Sequence, residues 1–148
     1  MSLHTFTKIW LHLIWSTHNK ERILLKDTIE KVSSFLYKYA KDKKIYMRIN
    51  HVNAEHVHVL LNLPVDLPVK ECLKLLKGSS SHFINQERLT PTKFSWGRGY
   101  GAFSVSESGV NKVTEYIRNQ DEHHRAKSFS EEYELFIKKY GLNINRHT

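Results

Sequence analysis

Hydrophobic and polar residues alternate most regularly over Glu55-His56-Val57-His58-Val59-Leu60-Leu61. Val57, Val59 and Leu61 share one parity and His56, His58 and Leu60 the other, which is the period of a half-buried β-strand. Residues 7–17 predict a first strand, with Ile9, Leu11, Leu13 and Trp15 on one face and Lys8, Trp10, His12 and Ile14 on the other. Residues 45–52 predict another, joined to the histidine strand through a tight turn at Asn53-Ala54, so that the two form a β-hairpin. Helical spacing takes over elsewhere. Asp27-x-x-Glu30 has the form of a capping box, and Ile29, Val32, Leu36, Tyr39 and Ala40 make the apolar stripe of the helix it would open. Lys31, Lys38 and Lys41 lie off that stripe. Leu63-Pro64 ends the hairpin, and Asp66 and Pro68 start a longer helix with the stripe Val69, Cys72, Leu73, Leu76, Phe83 and Ile84.

After a break at Thr90-Pro91, residues 94–106 predict at least one more strand, interrupted at Gly97-Arg98-Gly99-Tyr100-Gly101. Ser108 is the expected N-cap of a helix that carries Tyr116 and runs to about Ala126. Ser128-x-x-Glu131 looks like a further capping box, opening a last helix through Tyr140 with Gly141 as its stop. The order strand, helix, strand, strand, helix, strand, helix predicts an α+β fold, an antiparallel sheet with packed helices in a ferredoxin-like/RRM-like α/β sandwich. In that arrangement Val57, Val59 and Leu61 point to the covering helices, and His56 and His58 point the other way, beside Trp10 and His12.

Composition narrows the setting. With 148 residues, no repeat and no long linker, the expectation is a single domain over residues 1–148. A hydrophobic fraction of 40% is that of a folded chain and not a disordered one. The net charge of +8 points to an anionic partner, nucleic acid first and an acidic membrane surface second. The single cysteine, Cys72, excludes an internal disulfide and fits a reducing cytosol. Lys8, His12 and His18 interrupt any signal-peptide core, and no window of about 18 apolar residues exists, so a soluble cytoplasmic protein without a membrane span is expected.

Charge also marks candidate contacts. Lys70, Lys74 and Lys77 form a basic face on the second long helix; solvation is its ordinary meaning and phosphate contact the sharper one. Arg98 among three glycines would let a backbone approach a phosphate, although such a stretch is more often a turn or bulge, and no Walker-type Lys-Ser/Thr follows. Trp10 on a sheet face would suit stacking against unpaired bases.

Two stretches together carry chemistry. His56 and His58 share a strand face, roughly 6–7 Å apart at their roots, and can converge on one metal ion or simply form the polar side of a sheet. Tyr116 and Gln120 are one helical turn apart, with His124 one turn further, at the edge of a stripe formed by Val110, Val113 and Ile117. A packed amphipathic tyrosine beside a boundary glutamine is the plain reading. The functional one makes Tyr116 a nucleophile and Gln120 a donor to an ion held by the histidines. A divalent ion is a Lewis acid and template for phosphodiester cleavage, where charge builds on oxygen. A phenol, with a solution pKa near 10, attacks only once deprotonated, and its phosphodiester product conserves the bond energy for rejoining. Two imidazoles and an amide oxygen suit Mg²⁺ or Mn²⁺, and zinc by ligand type as well.

His56-Val57-His58 resembles the His-hydrophobe-His signature of the HUH nucleases. Tyr116-Ile117-Arg118-Asn119-Gln120-Asp121-Glu122-His123-His124 resembles the catalytic helix of the single-tyrosine transposases of the smallest bacterial insertion sequences. Residues 95–104, Ser-Trp-Gly-Arg-Gly-Tyr-Gly-Ala-Phe-Ser, are similar to the segment before that helix, and Thr5-Phe6-Thr7 to the family's opening. The resemblance covers about residues 5–140. It implies a transposase that cleaves and rejoins single-stranded DNA, with Tyr116 forming a 5′-phosphotyrosine link and His56, His58 and Gln120 holding the metal. It further implies recognition of imperfect hairpins at element ends and a homodimer in which each tyrosine helix can complete the partner's site. One departure is Ala54-Glu55 where the family often has Pro-Asp, which bears on the turn or on a contact behind the ligands.

Two rival readings make different predictions. A basic nucleic-acid-binding module without chemistry, such as a domesticated relative, would bind with strong salt dependence and need no metal. A metal-dependent hydrolase using His56, His58 and His123 or His124 would turn over without a tyrosine-linked intermediate.

Overall fold

The computed structural model describes residues 5–120, together with Glu131 and Glu134. Strand β1 (Trp10–Ser16) is followed by α1 (Lys26–Asp42), the hairpin β2 (Tyr46–Val52) and β3 (His56–Asn62), α2 (Val69–Gln86), β4 (Gly101–Val105) and α3 (Val110–Arg118). The strands form one sheet in the order β2-β3-β1-β4, and every neighbouring pair is antiparallel. This is the α+β sandwich that the alternation predicts.

Parity along the two central strands decides what each face does. Leu11, Leu13 and Trp15 of β1 lie opposite Leu61, Val59 and Val57 of β3. These six side chains join Val32, Leu36 and Ala40 of α1 and Cys72, Leu73, Leu76 and Ile84 of α2 in the main core. The opposite parity gives the second face, where Trp10, Ile49 and Leu60 pack under Val110 and Ile117 of α3. A β-bulge lies between Met47 and Ile49, at Arg48. It lets Met47 reach the main core while Ile49 serves the other face, which strict alternation would forbid.

Side-chain chemistry adjusts the expected boundaries. β1 begins at Trp10 and not at residue 7. The Asp27 capping box does not form: Leu25 occupies the N-cap without a side-chain cap, and Asp27 sits in the first turn, 3.3 Å from Lys31. α2 starts after Pro68, whose fixed φ suits a helix entry, so Asp66 stays in the preceding turn. The strand expected over residues 94–106 shrinks to Gly101–Val105 because the earlier part is held by side chains. Asn85 brackets the Phe94 backbone with bonds of 2.9 and 2.7 Å, and Trp96 Nε1 donates to Ser80 Oγ at 2.9 Å. Before α3, Ser106 and not Ser108 caps the turn Glu107–Gly109, accepting from the Gly109 N–H at 3.1 Å. The expected continuation to Ala126 and the final helix lie outside the described residues, apart from Glu131 and Glu134, both helical. Among the described residues, no helix is long and apolar enough to cross a membrane.

Candidate active site

β3 delivers His56 and His58 to the face covered by α3, with 0% and 1% of their surface exposed. Their ring centroids are 4.9 Å apart and nearly perpendicular. α3 docks through Val110 and Ile117, which turns its half-buried Tyr116 edge-on to His58 at 6.3 Å between ring centroids. Asn119 leaves helical geometry (φ −94°, ψ 22°), and the next residue, fully buried Gln120, brings its Oε1 to 3.5 Å from His56 Nε2. The phenol, the amide and both imidazoles thus meet within one chain.

α3 is held from both sides. Arg48, thrown outward by the bulge, donates from Nε to Thr114 Oγ1 at 2.9 Å and from Nη2 to Asn111 Oδ1 at 3.0 Å. In front of the helix, Glu107 accepts from Trp10 Nε1 at 2.5 Å and from Lys8 Nζ at 3.3 Å. These two bonds, the indole first, hold the Glu107 carboxyl below the usual carboxylate range. Trp10 is only 5% exposed, so the expected stacking of unpaired bases on its ring does not fit the structure. Period-2 parity alone could not reveal this, because it does not say that a helix covers the second face.

Three further residues surround the imidazoles. Asn53 Nδ2 lies 3.0 Å from His56 Nε2, and His12 Nε2 lies 2.9 Å from His58 Nδ1. His51 stands directly across from His58 in the sheet register. The sequence placed His12 beside the pair through its parity with Trp10 and Ile14, whereas nothing in the spacing singled out Asn53 or His51. Glu55, at the position where the sequence departs from Pro-Asp, is buried and pairs with Arg22 at 3.4 Å.

The donor set fits a divalent cation. Two ligands each about 2.0–2.2 Å from one ion stand about 3–3.5 Å from each other, and His56 Nε2 and Gln120 Oε1 are 3.5 Å apart. Among the described residues, no cluster of three or more His, Cys, Asp or Glu side chains could hold a metal. Beside His56, the Gln120 amide oxygen is a donor of another type. A cation there would displace the Asn53 contact on His56.

The basic candidates lie elsewhere. Lys70, Lys74 and Lys77 of α2 line an open groove of about 750 Å³, with Ser95, Arg98 and Tyr100 opposite. Lys70, Lys74 and Arg98 are exposed. Lys77 is not a simple solvated charge: its Nζ donates to Gly97 O at 2.8 Å and to Arg98 O and Gly99 O at 3.4 Å each. Burial lowers its pKa. The loop it holds is welded to β1 as well, since the Gly97 N–H donates to Ser16 O at 2.8 Å. A Cβ on Gly97 would meet Ser16 Oγ and Thr17 O at 3.3 Å, so close backbone approach explains this glycine.

Comparison with known proteins gives this site a context. Residues 5–120 match the family model for "Transposase IS200 like". The transposase for insertion sequence element IS200 of Salmonella typhimurium is 26% identical over 123 residues, covering 79% of this chain and 80% of that protein. The ISDra2 transposase TnpA of Deinococcus radiodurans is 25% identical over 114 residues, covering 74% and 81%. A solved REP-associated tyrosine transposase, bound to a REP hairpin, shares the fold with a TM-score of 0.61 at 16% identity, over 84% of this chain and 74% of that one. The family match runs unbroken from ahead of β1 to Gln120, taking in the histidine strand and the tyrosine helix together, and the chain belongs to the IS200-like transposase family.

Proposed function

We propose that this transposase cleaves and rejoins single-stranded DNA through a 5′-phosphotyrosine intermediate, with Tyr116 as nucleophile and His56, His58 and Gln120 as ligands of Mg²⁺ or Mn²⁺. The observation that carries the reading is the convergence of Tyr116 and Gln120 on two fully buried imidazoles. When bound, the ion supplies Lewis-acid stabilisation of the charge that builds on the phosphate. Tyr116 gives up its phenolic proton and its Oη attacks phosphorus, forming a P–O bond while the bond to the 3′ oxygen breaks. That oxygen takes a proton and leaves as a free 3′-hydroxyl. In the reverse sense, an incoming 3′-hydroxyl attacks the phosphotyrosine, restores the diester and returns the proton to Tyr116 Oη. No external energy source is needed, because one phosphodiester replaces another.

Lys70, Lys74 and Arg98 are read as backbone contacts for the DNA, with Lys77 shaping the loop beside them. The solved relative with a bound REP hairpin supports hairpin DNA as the ligand. A homodimer acting in the cytoplasm is part of the same proposal. The burial of Trp10 removes one of the two features, beside the basic charge, that favoured a binding-only module.

The test is direct: labelled single-stranded hairpin DNA is incubated with the protein and Mn²⁺, then denatured. A covalent adduct is expected with the wild type and none with Tyr116→Phe. An adduct of equal yield in that variant would rule out Tyr116 as the attacking group.

A further inference from the structure

The reaction above uses two of the buried imidazoles and leaves His12 without a role. His12 is 0% exposed and sits on β1, diagonal to His58 across the β1–β3 ladder, where Ile14 is the direct partner of His58. The two rings are stacked at 5.2 Å and 29°, and Phe103 closes the other side of His12 at 6.3 Å. Their nitrogens, His12 Nε2 and His58 Nδ1, are 2.9 Å apart.

A neutral imidazole has one N–H and one acceptor nitrogen. At this separation one ring must donate and the other accept, so the direction of a single hydrogen bond decides which nitrogen of His58 keeps its lone pair. If His58 donates from Nδ1, its Nε2 is a ligand. If His12 donates from Nε2, His58 Nε2 carries the proton and cannot coordinate. The contact is made at Nδ1, on the opposite side of the His58 ring from Nε2, so His12 acts through His58.

We propose that His12 is a positioning residue whose Nε2 accepts the Nδ1 proton of His58 and so fixes the tautomer that presents His58 Nε2 to a divalent cation. The proposal rests on the metal reading of His56, His58 and Gln120. Partners of this kind behind a metal-bound histidine typically change affinity about 10–100-fold when removed.

The experiment uses the full chain without DNA, at a pH where the imidazoles are neutral. Long-range ¹⁵N–¹H correlation in the metal-free wild type is expected to find His58 protonated on Nδ1; protonation on Nε2 overturns the proposal. Mn²⁺ affinity is then measured by calorimetry for two variants. His12→Phe, which keeps a ring but offers no acceptor, should bind about 10–100-fold more weakly, whereas His12→Gln, which restores an acceptor oxygen, should recover most of the loss. Wild-type affinity in His12→Phe, or equal losses in both variants, overturns the role. Should His12→Phe fail to fold, the wild-type tautomer alone decides. Undiminished Mn²⁺ binding in His58→Ala would instead sink the metal reading, a failure distinct from a wrong His58 tautomer.

Discussion

Lys77 and its neighbours Lys70 and Lys74 are identical in type and one turn apart, yet they do different work. Lys77 Nζ meets three consecutive backbone carbonyls, while the other two are exposed. Replacing Lys77 with alanine strips those carbonyls of a charged donor and should lower stability by about 1–3 kcal/mol, read from denaturant unfolding. Lys74→Ala should leave the unfolding midpoint unchanged and weaken single-stranded DNA binding, reducing the slope of log K against log salt by about 0.7. A salt slope equal to that of the wild type would remove Lys74 from the DNA contacts. The sequence made the three lysines look like one basic face, because spacing reports which way a side chain leaves the helix and not what it meets. The histidines were more legible: two imidazoles on one parity of a strand must share a face, whatever covers it. Tyr116 and Gln120 were legible as helical neighbours, but their approach to those imidazoles depends on where α3 lands.

That landing is an element-scale property. The nonpolar contact of α3 with the sheet is small, and Arg48 adds two hydrogen bonds to its flank. Arg48→Ala should cost about 1–3 kcal/mol of docking energy and speed amide exchange across Val110–Arg118 without a matching change in α1 or α2. Adduct formation should fall in proportion to the fraction of molecules in which α3 is undocked. Amide exchange in α3 at the wild-type rate would mean that Arg48 is not its latch. Arg48 escaped the sequence reading because a bulge inserts a residue that no strict alternation contains. The caps escaped for a related reason. Asp27, Ser106 and Ser108 all have cap-forming chemistry, and only the path of the backbone selects which one is used. Pro68 is legible as part of a helix entry, since its fixed φ acts locally.

At the scale of the whole molecule, one sheet separates two cores of unequal size. The main core joins both long helices to the inner strands, and Leu36 is fully buried within it. Leu36→Ala should lower global stability by about 2–5 kcal/mol, seen as a shift of the whole unfolding transition. Ile117 is equally buried but belongs to the small core under α3. Ile117→Ala should release α3 first, so that local exchange rises more than the global midpoint falls. Equal loss of protection in α1 and α3 would mean that the two cores unfold as one. The hairpin of β2 with β3 was readable from the turn between two alternating stretches, and the face that α1 and α2 cover from alternation itself, because that face buries apolar surface. Residues 94–100 were not, since Asn85, Ser80 and Lys77 pin that segment from the second long helix, and no pattern along the chain encodes those encounters. One consequence of this pinning reaches across the molecule. Lys77 grips the Gly97 carbonyl, Gly97 bonds to the Ser16 backbone, and Ser16 lies opposite His56. The lysine-lined cleft and the buried histidine pair therefore stand on one continuous hydrogen-bonded scaffold, with only a glycine and a serine between them.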